Sequence, residues 1–151
     1  MATPPLDGPN RDPWPEALWD YPAPNTTSTV NLGNEGLNEG DEIDSYINNN
    51  IGNGVKIEIP AGRYVLNDRG VFSGTYSDLH IQGQGGLGGV ELDQGSGATG
   101  SATIGCDGGT VLWEDFDITG YVDTDAGGDR FRLQALNPDT EVVMKRIRLP
   151  D

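Results

Sequence analysis

A chain of 151 residues has room for one domain with an appendage, and at 34% hydrophobic and 7% aromatic residues its core must be narrow. Its 24 acids against 9 bases leave a formal charge of −15, which repels nucleic acid and anionic membrane surfaces and excludes both as partners. No stretch approaches the roughly 20 apolar residues of a membrane helix. The single cysteine, Cys106, excludes an intramolecular disulfide and a metal centre built on cysteines.

Residues 1–29 read as an extended, Pro-rich arm. Pro13, Pro15, Pro22 and Pro24 forbid a long helix or a central strand, yet Trp14, Trp19 and Tyr21 fall within eight residues. An unstructured tail rarely carries two tryptophans, so these three aromatics are the predicted partner-binding residues of an attachment arm. The start, Met1 to Pro5, lacks the basic and apolar regions of a signal peptide, and Asn25-Thr26-Thr27 is a glycosylation sequon that matters only outside the cell.

Residues 30–54 form a predicted N-terminal cap. Val30-Asn31-Leu32 reads as a short strand. Ile43, Tyr46, Ile47 and Ile51 then lie on one helical face, with acids before them where the helix dipole favours negative charge, and Gly52 and Gly54 end the helix. Such a helix covers the open apolar end of the first coil, as a stacked fold requires.

From Val55 to Asp151 the pattern is β. Val55-Lys56-Ile57-Glu58-Ile59 alternates and stops at Pro60; Arg63 to Leu66, Leu79-His80-Ile81, Val90-Glu91-Leu92, Thr103-Ile104 and Phe131 to Ala135 follow. Alternation points His80 outward, as a surface histidine, and Cys106 reads as a small buried residue. Gly83 to Gly88 satisfies G-x-G-x-x-G, but a dinucleotide site needs a helix opening at the third glycine. Here Val90-Glu91-Leu92 continues as strand, so these glycines serve a turn.

Two segments fix the architecture. Val111, Trp113, Phe116 and Ile118 are spaced i, i+2, i+5, i+7, and Val142, Met144, Ile147 and Leu149 repeat that spacing 31 residues later. Two period-2 pairs separated by a one-residue slip describe short strands joined by a corner, with the same side facing in. The corners, Glu114-Asp115 and Lys145-Arg146, hold no reversing turn. The chain therefore bends and keeps going round, as in a solenoid. Trp113 faces the core in this reading, and Asp115 sits on an exposed corner where its loss does little.

A capping helix followed by VKIEIPAGRYVL, LHIQGQGG and VLWEDFDITG resembles the opening coils of right-handed parallel β-helix proteins of the pectate-lyase-like superfamily. The resemblance spans residues from about 30 to 151. It implies an all-β fold, a right-handed parallel β-helix with a short N-terminal capping helix and an extended arm. That superfamily holds polysaccharide lyases and hydrolases as well as phage tailspikes and adhesins, so the fold leaves the activity open. The NTD, DD and HG motifs of polygalacturonase relatives are missing, and Arg146-Ile147-Arg148 is only a partial match to RIK.

Glu114, Asp115, Asp117, Asp123, Asp125 and Asp129 are numerous enough for a glycosidase pair or a Ca²⁺ site. In so acidic a chain they are read instead as acids displayed on exposed turns. No catalytic residue, metal ligand or cofactor is assigned. Arg130, Arg132, Lys145, Arg146 and Arg148, five of the nine bases, form a locally basic flank and the candidate docking surface for an acidic partner, including a second copy of the chain.

Lysine is confined to Lys56 and Lys145, and acid-rich, lysine-poor composition resembles proteins of extreme halophiles. At molar salt the Debye length is about 3 Å and self-repulsion fades. Leu149-Pro150-Asp151 follows a coil without a cap, which leads us to expect that the coils continue beyond it; cover by another subunit and a partial stop at Pro150 are the alternatives. The combined expectation is a non-catalytic N-terminal part of a virion spike, tail or capsid-decoration protein of a halophilic virus. It would be homo-oligomeric, join other virion or surface proteins through its arm, and project a rod toward a host glycan. The alternatives are the front of an extracellular polysaccharide lyase or glycosidase, and a glycan-binding surface adhesin.

Overall fold

Parallel pairing connects every strand of the computed structural model, which describes residues 23–94, 102–120 and 131–149. Among the described residues the strands are β1 (Ser28–Asn31), β2 (Val55–Ile59), β3 (Gly62–Val65), β4 (Gly74–Gly83), β5 (Val90–Gln94), β6 (Ala102–Gly120), β7 (Phe131–Ala135) and β8 (Glu141–Arg148). One short helix, α1 (Asp44–Asn50), precedes β2. Together they wind a parallel β-solenoid of about three turns.

Three ladders run along it. The first stacks β1, β2, the end of β4, the middle of β6 and β8, and carries the inward row Val30, Ile57, Ile81, Trp113, Met144. The second stacks β3, β5 and the end of β6, with Tyr64, Leu92 and Ile118 in register. The third joins the start of β4, the start of β6 and β7. Ile57, Ile81, Leu79, Val111, Leu92 and Phe116 are fully buried, and each buried aliphatic or aromatic side chain contributes about 1.5–3 kcal/mol. Phe72, Trp113 and Phe116 pack as one aromatic cluster in the column, their ring centroids 5.1 to 6.3 Å apart.

The repeat at 111–118 and 142–149 pairs as its spacing requires. Val111 lies against Val142, Trp113 against Met144 and Phe116 against Ile147, all parallel. The corner between the two halves is a single left-handed residue, Asp115 (φ 63°) in one coil and Arg146 (φ 52°) in the next. One left-handed residue turns the chain without interrupting the ladder. For that reason Thr103-Ile104 and the 111–118 segment are not separate strands: β6 runs unbroken for 19 residues round two corners.

The cap is itself a coil. Residues 40–43 run beneath β3, with the Gly40 amide donating to Arg63 O and the Ile43 amide to Val65 O. Helix α1 then follows and packs beside β2. Ile43 and Ile47 are fully buried while Tyr46 and Ile51 pack half-buried against the core, the expected apolar face. The helix ends at Asn50, and Gly54 (φ 67°) supplies the turn into β2. No side chain caps the helix N-terminus. Asp44, at its first residue, instead accepts from the amides of Asn67 and Asp68 and fastens the helix to the chain above it.

Candidate functional site

Chemistry-bearing side chains concentrate on the outer side of the first ladder. Alternation that sends Ile57, Ile81 and Trp113 inward sends Lys56, Glu58, His80, Gln82 and Glu114 outward, and parallel register lines them up as Asn31, Glu58, Gln82, Glu114 and Lys145. Successive members are about 4.8 Å apart, close enough for each to bond the next.

The upper part centres on Glu114. Gln82 Nε2 donates to its Oε1 at 2.5 Å, and His80 Nε2 lies 3.3 Å from the same oxygen. Glu114 is 7% exposed. The hydrogen bond from His80 holds its carboxyl below the usual carboxylate range; burial works the other way, and the charges of His80 and Lys145 add to the lowering. Lower down, Asn31 Nδ2 donates to Glu58 Oε2 and Gln84 Oε1, Gln84 Nε2 donates to Glu58 Oε2, and Lys56 Nζ sits 3.2 Å from Glu58 Oε1. Amides and carboxylates thus alternate as a polar ladder.

A second cluster stands at the corner. Arg146 grips Asp115 through Nε and Nη2, and Arg148 grips Asp117 in the same way, each pair bridging neighbouring coils. Bidentate charge-assisted bonds of this geometry are stronger than neutral ones. Asp115 and Asp117 are 5% and 7% exposed. This corrects the expectation that acids on this turn face solvent and that Asp115 is dispensable. The left-handed corner turns its carboxylate onto the next coil, where arginine meets it.

Of the predicted docking flank, Lys145 therefore faces Glu114, Arg146 and Arg148 pair with the corner aspartates, and Arg132 is exposed on β7. Arg130, the arm residues Trp14, Trp19 and Tyr21, and the acids Asp123, Asp125 and Asp129 lie outside the described residues. Among the described residues no group of three histidine, cysteine, aspartate or glutamate side chains is placed to hold a metal ion. An open cavity of about 420 Å³ beside α1 is lined by Glu42, Asp44, Ser45, Asn48, Asn67, Asp68 and Val71.

The partnership of His80 with Glu114 is what sequence reasoning missed. The two are 34 residues apart, and the signal is the coil length itself. Once His80 is placed beside Leu112, Glu114 falls next to Gln82 and within reach of the imidazole. The glycine run behaves as the turn predicted for it: Gly85, Gly86 and Gly88 have φ of 88°, 73° and 81°, values that L side chains rarely adopt.

Comparison of the chain with protein-family models, curated proteins and solved structures finds no match. The function must therefore be argued from the residues alone.

Proposed function

We propose that the chain is a non-catalytic structural module, a stiff rod belonging to a virion spike, tail or capsid-decoration protein of a halophilic virus, with its N-terminal arm as the attachment element. One observation carries the non-catalytic part. Among the described residues, the candidate carboxylates are spent on neighbouring coils: Asp115 and Asp117 on arginines, Glu114 on His80 and Gln82. A glycosidase requires one carboxyl kept protonated as general acid. Glu114 is pushed the opposite way. Carboxylates used as rivets between coils stiffen a rod, and a stiff rod suits projection toward a surface.

The viral setting rests on sequence features: a charge of −15, scarce lysine and an aromatic, Pro-rich arm. The host-contact role would fall to the outer polar ladder. Its lower part, Asn31, Glu58 and Gln84, is partly exposed and offers amide and carboxylate groups at the spacing of the coils. That same row favours a second reading, a surface adhesin that binds an extended glycan without cleaving it.

One experiment separates these readings from an enzyme. The chain is incubated with neutral and uronate-containing polysaccharides at 2 M KCl, with product followed as reducing ends and as unsaturated uronate absorbance. Fluorescently labelled chain is titrated in parallel onto haloarchaeal cells. Saturable cell binding without turnover is expected. Turnover abolished by Glu114→Gln overturns the non-catalytic reading, and absence of cell binding overturns attachment.

A further inference from the structure

Asn25-Thr26-Thr27 is the only Asn-x-Ser/Thr sequence in the chain, and the fold treats Asn25 differently from other asparagines. Asn31, Asn38, Asn50 and Asn137 each commit Nδ2 to a bond within the protein, to Glu58 Oε2, Gly36 O, Tyr46 O and Asp107 O. Asn53 Oδ1 accepts from the Ser77 amide, while the Gly54 amide beside it donates to Ser77 O, so that segment is pinned twice. Asn25 is exposed. Its backbone amide donates to Asp78 Oδ1, but among the described residues its carboxamide has no partner. The backbone bends there, because the Thr26 amide closes a three-residue turn on Pro24 O with Asn25 at its centre. Thr27 is exposed as well, and its hydroxyl makes only a long 3.5 Å contact with Gly54 O. These residues precede the ladder of β1 with β2, which starts at Ser28. The Asn25 amide on Asp78 and the Thr27 amide on Gly54 O hold them to the body. A segment tied by so few exposed bonds opens locally at low cost.

We propose that Asn25 is the acceptor for an N-linked glycan, delivered from a lipid-phosphate-linked oligosaccharide. In the transfer Asn25 Nδ2 forms a bond to C1 of the donor sugar. The C1–O bond breaks, its electron pair leaves on the lipid phosphate, and one Nδ2 proton passes to a base of the transferase. Recognition of an acceptor asparagine needs the hydroxyl two residues on, which Thr27 supplies, and a bulky sugar needs open space round the carboxamide. An exposed, unpaired carboxamide on a segment outside the ladder meets both demands. Asn53 meets neither: Val55 stands where the hydroxyl would have to be, and the ladder corner fixes its segment. The glycan would stand at the entry to the first coil, beside Asp78. The inference does not depend on the rod reading and asks only that the chain meet a transferase.

The full chain, made unmodified in a cytoplasmic expression host, is incubated in its folded state with an oligosaccharyltransferase and its lipid-linked donor. Intact mass and peptide mapping read the product. Gain of one glycan on Asn25 is expected, lost in Asn25→Gln and in Thr27→Ala and retained in Thr27→Ser. Val55→Thr completes a second sequon at Asn53, and no second glycan is expected there while the chain is folded. Circular dichroism checks that each variant keeps its fold. A folded chain left unmodified while a peptide of residues 23–30 accepts the glycan overturns the proposal. So does transfer that survives Thr27→Ala, or equal occupancy of Asn25 and Asn53 in Val55→Thr.

Discussion

Replacing Gly83 by alanine tests how closely the coils stack. Gly83 stands at the corner of β4, beneath Asp115, and does not have a positive φ, so alanine fits its backbone. The obstacle is space: a Cβ there lies 2.0 Å from the carbonyl oxygen of Asp115, 2.9 Å from its carbonyl carbon and 3.1 Å from Val90 Cγ2. Carbon and oxygen rest at about 3.3 Å, so the two coils must part by more than 1 Å against a ladder spacing of about 4.8 Å. Separation on that scale breaks one or two ladder hydrogen bonds at about 1 kcal/mol each and adds about 1–3 kcal/mol of overpacking. The sum, about 2–5 kcal/mol, lowers Tm by roughly 4–20 °C for a chain of this size. Gly86→Ala is the control: its φ is 73° with nothing within 4 Å of the added carbon, so only the left-handed penalty of about 1–2 kcal/mol applies. Thermal melts by circular dichroism compare the two. If Gly83→Ala melts no lower than Gly86→Ala, contact between coils at this corner does not limit the fold.

Trp113→Ala is expected to cost about 3–5 kcal/mol in urea unfolding, because Trp113 is 1% exposed and packed between Phe72 and Phe116. Asp115→Ala destabilises by about 2–3 kcal/mol, from the lost pairing with Arg146 and from a left-handed alanine, while Asp115→Asn loses distinctly less because asparagine tolerates that conformation. Equal loss in the two variants removes the backbone part of that explanation. Glu114 has its folded carboxyl held below the ordinary 4.5, so it contributes stability above that value and loses it as pH falls through the lower, folded value. The stability of the parent over Glu114→Gln should therefore shrink on acidification from pH 6, and a constant difference down to pH 3 contradicts the role given to His80. Raising KCl from 0.1 to 3 M should raise Tm, since screening relieves a charge of −15; a flat Tm refutes the electrostatic reading of the composition.

The i, i+2, i+5, i+7 spacing determined which side chains face inward, because period-2 alternation with one slip leaves a single way to bury Val111, Trp113, Phe116 and Ile118 together. It also fixed parallel stacking, since the absence of a reversing turn forces the chain onward round a corner. The helical face of Ile43 and Ile47 and the turn at Gly85 and Gly86 were legible for the same reason: they follow from local spacing and from backbone preference.

Register between coils was another matter. Coil length varies, so that Ile57 and Ile81 are 24 residues apart but Ile81 and Trp113 are 32, and no local pattern announces the difference. Only the folded ladder brought His80 and Gln82 to Glu114, turned Asp115 and Asp117 onto Arg146 and Arg148, and made buried rivets of acids that alternation alone assigns to solvent. Outward-facing residues carry no apolar period, and their partners are set by stacking distance rather than by sequence distance.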